Sequence, residues 1–106
     1  MRPPLVSVLL PVYNAAPTLR DALDSLFSQS LPDFEIVAVD DGSTDESPAL
    51  LRAAARVGAP SDGEGTYPYD RLRPIFRSRS GLIPTLNAGL NECRAPFVAR
   101  MDADDL

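Results

Sequence analysis

The sequence has 106 residues, 44% of them hydrophobic and 24% charged, which predicts one folded domain and excludes a disordered or collagen-like chain. All ten basic residues are arginine and there is no histidine, which excludes a Ser-His nucleophile pair, a Walker-type lysine and a Schiff base. Chemistry must therefore come from carboxylates, arginines, hydroxyls or a bound metal. The net charge of −5, with scattered arginines, argues against nucleic acid as a partner.

Cysteine usage and hydropathy predict a cytoplasmic protein, with a peripheral position at the cytoplasmic membrane face as the alternative. Cys93 is the single cysteine, so it cannot form an internal disulfide and is interpreted as a small buried apolar residue. The short apolar run near the N-terminus is broken by Pro11 and is not followed by a cleavage signal. No stretch approaches the roughly 18 apolar residues that a membrane helix needs.

The first half of the chain predicts two buried strands, each followed by a helix. Residues 5–12 (LVSVLLPV) and 34–39 (FEIVAV) are continuous apolar runs, typical of strands covered on both faces of a parallel sheet. Pro17 suits a first helical turn, and apolar residues follow it at helical spacing. Ser43 and Glu46 have the spacing of a capping box, which predicts that the second helix begins there.

A long Gly-, Pro- and Asp-rich segment, residues 58–72, follows the second helix. It is far longer than the usual ~2–6 residues between a helix and a strand, so it predicts a flexible loop inserted into the domain formed by residues 1–106. A short third strand is predicted over residues 74–77.

A third helix and a fourth strand complete the predicted elements. Residues 81–94 place Leu82, Leu86, Leu90 and Cys93 on one helical face, which we expect to be buried. Pro84 is compatible with this helix because it falls in the first turn. The fourth strand covers residues 96–101.

The alternation of strands and helices predicts an α/β fold: a Rossmann-like, doubly wound and mostly parallel sheet with helices on both faces. In the common strand order 3-2-1-4, ligands bind outside the carboxyl ends of the strands, where the chain reverses direction. Three polar clusters follow strands one, two and four and would meet there. They lie at residues 11–14, 40–41 and 102–105.

The clusters contain five aspartates, which would repel one another unless a divalent cation or a basic ligand lay between them. Mg²⁺ and Mn²⁺ suit carboxylate oxygens, usually together with substrate phosphates. Aspartates after strands also have a structural explanation, since they favour turns and cap helices. The residues alone leave both explanations open.

The turn after the first strand contains no glycine and so cannot be a G-x-G-x-x-G dinucleotide turn. If a nucleotide binds here, its diphosphate needs a metal and an arginine instead. The turn would then meet the base with its backbone and with Tyr13, which could equally be an ordinary, partly buried aromatic residue.

Four blocks of the sequence together resemble the N-terminal half of a family 2 glycosyltransferase. They are VSVLLPVYN at 6–14, EIVAVDDGSTD at 35–45, the segment from Gly81 to Leu90 with its Asn-Ala-Gly, and ARMDADD at 99–105. The resemblance implies that this chain is the N-terminal, nucleotide-binding half of a GT-A fold. It also implies inverting transfer of a sugar from a nucleotide-diphosphate donor, often UDP-linked, to an acceptor hydroxyl in cell wall or polysaccharide biosynthesis.

The resemblance also implies roles for individual residues. Those expected at the nucleotide sugar are Pro11, Val12, Tyr13, Asn14, Asp40, Asp41, Arg79 and Asp102. Among them, Asp41 would accept a hydrogen bond from the base, and Arg79 would reach the diphosphate. The D-x-D motif would hold a divalent metal, Mn²⁺ or Mg²⁺, through Asp104 in direct contact and Asp102 beside it.

The resemblance implies that the catalytic base lies beyond Leu106, together with most of the site for the acceptor, a glycan or lipid-linked sugar. We therefore expect the donor-binding half of a longer enzyme, inactive in sugar transfer by itself. The uncovered edge of the fourth strand would favour self-association.

Two alternative functions are a non-catalytic nucleotide-sugar or metal-binding module and a Mg²⁺-dependent phosphotransfer domain. The latter usually places its acids after the first strand, where this chain has Pro-Val-Tyr-Asn.

Overall fold

The computed structural model describes residues 4–28, 34–57 and 72–102 and contains four strands and three helices in strict alternation. In chain order they are β1 (Val6–Val12), α1 (Ala16–Phe27), β2 (Phe34–Asp41), α2 (Ser47–Val57), β3 (Leu72–Arg77), α3 (Leu82–Glu92) and β4 (Phe97–Arg100). Most of the predicted loop insertion, residues 58–71, lies outside the described residues, and Leu72 is the first residue of β3.

The four strands form one sheet in the order β3-β2-β1-β4, and all three pairs are parallel. This confirms the α/β class and the predicted strand order. β1 pairs with β2 from Val6 opposite Phe34 to Val12 opposite Asp40. β4 pairs with the other edge of β1, so the order in which strands are added to the sheet reverses at β1, between β1 and β4.

β2 is the most buried element, because helices cover the sheet on both faces. Ile36 and Ala38 point into the larger cluster, where leucines of α1 and α2 pack against β1. Val37 and Val39 point the other way, into a smaller cluster with Leu9 and residues of α3. All eight residues of β2 are buried, which explains its continuous apolar sequence.

The predicted start of α2 is wrong, because α2 begins at Ser47 rather than at Ser43. The Ser43 hydroxyl does not cap a helix; it accepts the backbone N–H of Asn14 at 2.9 Å. Asp45 takes the capping role instead and accepts the Ser47 N–H at 2.8 Å. β2 also runs two residues further than predicted and includes Asp40 and Asp41.

The predicted buried face of α3 is also wrong in part. Leu82 and Leu90 are about half exposed, whereas Thr85 and Gly89 are the buried residues of this helix. The helix lies so close to the sheet at Gly89 that an added Cβ would be 2.3 Å from Leu9 Cδ1. A small residue at the contact, rather than a row of leucines, therefore defines the buried face.

We expect Gly89→Ala to lower the free energy of unfolding by about 1–3 kcal/mol, the usual cost of overpacking a core. Its Cβ would also be 2.7 Å from Val39 Cγ2, on a stiff, fully buried side chain. Urea denaturation measures the change. Asn87→Ala, at an exposed position of the same helix, is the matched control and should change stability little. A Gly89→Ala chain as stable as the control would contradict this packing.

Among the described residues, β4 is an edge strand of the sheet, and all four of its residues are exposed. Phe97 and Val98 are 64% and 43% exposed. The predicted self-association through this edge stays a prediction. Within residues 4–28, 34–57 and 72–102, no helix has both the length and the hydropathy needed to cross a membrane.

Candidate functional site

A cavity of about 510 Å³ opens at the carboxyl ends of β1, β2 and β4. Its lining comes from the β1–α1 turn, the end of β2, the segment before α3, the first turns of α3 and the end of β4. The residues are Pro11, Val12, Tyr13, Asn14, Ala15, Pro17, Thr18, Asp41, Arg79, Leu82, Thr85, Arg100 and Asp102. Seven of the eight residues predicted at the nucleotide sugar thus share one cavity, and the exception is Asp40. Their contact with a nucleotide stays a prediction.

Asp41 lies at the base of the cavity and is 3% exposed. Its Oδ1 accepts the Ser80 N–H at 2.7 Å, and its Oδ2 accepts the Gly81 N–H at 3.0 Å and pairs with the Arg79 guanidinium. Burial raises the pKa of Asp41, but the hydrogen bonds from Ser80, Gly81 and Arg79 outweigh it and hold the pKa below its ordinary value. The carboxylate is therefore charged at neutral pH and fixed in orientation.

Gly42 allows the segment before α3 to approach this carboxylate. Its φ of +72° lies in the left-handed region that favours glycine, and a Cβ there would be 2.6 Å from the backbone nitrogen of Arg79. The glycine of the Asp-Asp-Gly sequence thus brings Arg79 to the cavity.

Arg79 covers the aromatic face of Tyr13 in this structure. The guanidinium carbon lies 3.7 Å from the centre of the Tyr13 ring while the same group pairs with Asp41. A planar cation stacked on a ring and donating to a carboxylate is a favourable arrangement. The Arg79 side chain is still 54% exposed, so it is free to leave without crossing the core.

Asp40 faces away from the cavity and is 2% exposed. Its Oδ2 accepts the Ser43 N–H at 3.0 Å, while its Oδ1 is buried and has no hydrogen-bond partner among the described residues. Asp40 and Asp41 point to opposite faces of β2, so one cation could not bind both carboxylates. Each carboxylate instead accepts hydrogen bonds from backbone N–H groups of the protein. In the described part of the chain, no three acidic or thiol side chains are grouped closely enough to hold a metal ion.

The D-x-D motif is described only at its first residue. Asp102 lines the cavity, its side chain is 43% exposed, and its Oδ1 accepts a hydrogen bond from Arg100 at 3.1 Å. Asp104 and Asp105 lie outside the described residues. Arg100 and Thr85 also line the cavity but were not predicted from the sequence. Arg100 ends a strand two residues before the D-x-D motif, and this position could have indicated that it lies at the cavity. Thr85 lies one turn after Gly81 in α3 and has no such signal.

A second buried carboxylate, Glu35, lies on the same face of β2 at the opposite end of the sheet. Its Oε2 accepts hydrogen bonds from the Ser7 hydroxyl at 2.5 Å and from the Arg94 N–H at 2.8 Å. Its Oε1 accepts from Arg73 Nε at 3.2 Å and from the Arg94 guanidinium. The Ser7 hydroxyl in turn accepts the Ala95 N–H at 3.1 Å. Glu35 thereby joins β1, β2, β3 and the end of α3.

The carboxyl groups of Glu35, Asp41 and Asp45 have lowered pKa values in the folded chain, so its stability should depend on pH. Burial raises the pKa of Glu35, but hydrogen bonds from Ser7 and Arg94 and the charge of Arg73 hold it below 4.5. Burial likewise raises the pKa of Asp45, but hydrogen bonds from Ser47 and Ala16 hold it below 3.8, and Asp41 also lies below 3.8. Because the folded state favours the charged forms, their stabilisation is complete above these values and is lost as the pH falls through the folded pKa values.

We therefore expect the urea midpoint of this chain to change little from neutral pH down to about pH 5 and to fall steeply below about pH 4. A series of urea titrations across this range measures it. A midpoint that stayed constant or rose on acidification below the ordinary carboxyl pKa values would contradict the assignment.

The parallel sheet, with a polar cavity at the point where its strand order reverses, defines a Rossmann-like α/β domain. The sequence profile of Glycosyl transferase family 2 matches residues 7–106, and the chain belongs to this family. The chain is 33% identical over 102 residues to the uncharacterized glycosyltransferase EpsJ of Bacillus subtilis (strain 168), covering 96% of this chain and 26% of the relative. It is 29% identical to the chondroitin synthase of Escherichia coli over 104 residues, covering 98% of this chain and 14% of the relative.

Solved structures show the same GT-A fold. The mannosyltransferase PcManGT from Pyrobaculum calidifontis, in complex with GDP-Man and Mn²⁺, superimposes with a TM-score of 0.81 at 32% identity, over 100% of this chain and 29% of that one. TarS 1-349 of S. aureus in complex with UDP-GlcNAc gives a TM-score of 0.78 at 27% identity, over 94% and 26%. The chain thus spans about a quarter of the length of the first curated relatives it matches.

Proposed function

We propose that this chain is the donor-binding part of a glycosyltransferase that moves a sugar from a nucleotide-diphosphate donor, with UDP as the first candidate, to an acceptor hydroxyl with inversion. The observation that carries the proposal is the cavity that brings the Tyr13 ring, the Asp41 carboxylate, Arg79 and Asp102 together at the switch point of the sheet. The solved relatives with UDP-GlcNAc and with GDP-Man support a nucleotide-sugar ligand.

Tyr13 and Asp41 supply the two interactions that a nucleobase needs. The Tyr13 ring is 44% exposed at the cavity and offers a flat surface for stacking. Asp41 is charged and acts as an acceptor only, so it selects a base edge that carries an N–H donor, as uracil and guanine do. Pro11, Val12 and Asn14 line the wall beside them.

In this structure, the Arg79 guanidinium already occupies both of these interactions. It stacks on Tyr13 and donates to Asp41, as a base edge would. Donor binding therefore requires the guanidinium to leave Asp41. Once displaced, the exposed cation can pair with the diphosphate at the same cavity, where Arg100 offers a second positive charge.

A divalent cation fits the donor set at the other side of the cavity. Asp102 presents hard carboxylate oxygens at a half-exposed position, and Asp104 is the second candidate ligand from the D-x-D motif. Mn²⁺ or Mg²⁺ bound there would stabilise the negative charge that develops on the leaving diphosphate. Arg100 pairs with Asp102 at 3.1 Å, and both residues line the cavity.

The acceptor and the base belong to the whole protein rather than to the described site. We propose a glycan or lipid-linked sugar as the acceptor, in cell wall or polysaccharide biosynthesis. The match to the chondroitin synthase of Escherichia coli supports this class of product. The described part of the cavity holds carboxylates that are already hydrogen-bonded, and none is assigned as the base.

Calorimetric titration of the chain with UDP and with uridine, in the presence of Mn²⁺, tests the donor site. We expect UDP to bind more tightly than uridine. In Arg79→Ala, UDP should bind about tenfold more weakly because a charge-assisted contact to phosphate is lost. Uridine should bind at least as well as in the wild type, because the guanidinium no longer competes for Tyr13 and Asp41.

Arg77→Ala is the matched control, since Arg77 is an exposed arginine at the end of β3 that does not line the cavity. It should leave both affinities unchanged. If the wild-type chain bound neither UDP nor GDP with Mn²⁺, the proposed function would be wrong. If Arg79→Ala weakened uridine and UDP equally, the displacement of Arg79 by the base would be wrong.

A further inference from the structure

The β1–α1 turn, which forms one wall of the cavity, is held by side chains of the β2–α2 loop and of Ser47, the first residue of α2. The N–H groups of Asn14 and Ala15 are bonded to the hydroxyls of Ser43 and Ser47 at 2.9 and 3.0 Å. The Ala16 N–H donates to Asp45 Oδ2 at 3.1 Å. Three consecutive backbone N–H groups of the turn therefore donate to side-chain oxygens of a segment about thirty residues away.

The turn cannot supply these acceptors itself. Ala15 is the N-cap residue of α1 and has no side-chain acceptor, so the first N–H groups of the helix need partners from elsewhere. Asn14 has a φ of +48°, a left-handed conformation that costs energy in a residue other than glycine. Its Oδ1 accepts the Thr44 N–H at 2.8 Å, which ties the turn to the same loop a second time.

Asp45 caps two helices with one carboxylate. Its Oδ2 accepts the N–H of Ala16, the first residue of α1, and its Oδ1 accepts the N–H of Ser47, the first residue of α2, at 2.8 Å. Both helix N-termini carry partial positive charge, and both converge on this group. The two helices are thereby fixed relative to each other at the cavity.

We propose that Asp45 is a positioning residue for the nucleotide: it holds the Tyr13-containing turn in the conformation that forms the wall for the base. This inference rests on the proposed function, because it concerns the same cavity. Asp45 does not line the cavity, so it acts through the turn and not by contact with the nucleotide. Without it, a nucleotide must order the turn when it binds, which weakens binding.

Two measurements test the inference. In wild-type chain, the amide proton resonances of Ala16 and Ser47 should shift together with one apparent pKa as the pH is lowered, because one carboxylate accepts both bonds. Separately, Asp45→Asn should weaken UDP binding about tenfold at a temperature at which circular dichroism shows the variant to be folded. The amide of Asn cannot accept both N–H groups. Asp21→Asn, an exposed aspartate of α1, is the charge-matched control and should bind UDP normally.

A double-mutant cycle with Tyr13→Ala separates positioning from a general loss of stability. If Asp45 acts through the Tyr13 turn, Asp45→Asn should change UDP affinity less than twofold in the Tyr13→Ala background. An equal loss in both backgrounds, unchanged binding in Asp45→Asn, or separate titration of the two amides would each overturn the inference. Absence of both UDP and GDP binding by the wild type would overturn the proposed function along with it, even if the two amides titrated together.

Discussion

Replacing Glu35 with alanine is expected to lower the free energy of unfolding by about 2–4 kcal/mol, because it removes a buried carboxylate that accepts several hydrogen bonds and pairs with two partly exposed arginines. The Glu35 side chain is 2% exposed, and its two oxygens accept bonds from three surrounding segments. After the substitution, the Arg94 N–H and the Ser7 hydroxyl lose their acceptor in a buried site. Arg73 and Arg94 also lose the charge that they share.

Urea denaturation followed by circular dichroism measures the loss. Glu35→Gln should fall between wild type and alanine, because it keeps an acceptor but removes the charge. Glu92→Gln is the control: Glu92 also pairs with Arg73, at 3.6 Å, but its side chain is 54% exposed. Exposed pairs contribute at most about 1 kcal/mol, so this variant should be close to wild type. Equal losses in Glu35→Ala and Glu92→Gln would show that Glu35 is not the central acceptor.

Replacing Asp41 with asparagine is expected both to destabilise the chain, by about 2 kcal/mol, and to reduce UDP affinity at least tenfold. The carboxylate accepts N–H groups from Ser80 and Gly81 and pairs with Arg79. An amide nitrogen in place of either oxygen would face one of these donors. The same change removes the acceptor proposed for the base, so stability and binding should fall together.

Asp102→Asn provides the contrast within the same cavity. Asp102 is 43% exposed and makes one ion pair with Arg100, so its replacement should leave the urea midpoint almost unchanged. It should weaken UDP binding in the presence of Mn²⁺ and have little effect without the metal. If Asp41→Asn kept full UDP affinity, the role proposed for Asp41 at the base would be wrong.

The sheet was predictable from the sequence because its strands are apolar runs buried on both faces. The errors occurred where contacts are long-range. Ser43 and Glu46 have the local spacing of a capping box, but Ser43 bonds to Asn14 instead, and the helix begins at Ser47. Leucine spacing was wrong for half of the predicted face of α3: Leu86 and Cys93 pack against the core, but Leu82 and Leu90 are exposed, because the close approach is made at Gly89.

The candidate site was predictable mainly through the family resemblance, since each motif alone also had a structural explanation. The prediction ended the second strand at residue 39 and so missed that Asp40 and Asp41, which belong to β2, point to its opposite faces. The sequence also could not show that Arg79 would lie on Tyr13, because this contact depends on the path of the chain past Gly42. Local sequence patterns also could not predict the hydrogen bonds between the β1–α1 turn and the β2–α2 loop, because these segments are about thirty residues apart.

Glu35 and Asp41 together fix the number of residues in α3. They are six positions apart on one face of β2, about 20 Å along the strand, and bind the segments after and before the helix. The 11 residues of α3 span about 16 Å, and the residues that flank the helix, from Gly81 to Arg94, cover the remaining distance between the two anchors. One inserted residue would rotate the end of the helix by about 100° and carry Arg94 away from Glu35. Natural variants of this domain should therefore gain or lose residues elsewhere than between Ser80 and Arg94.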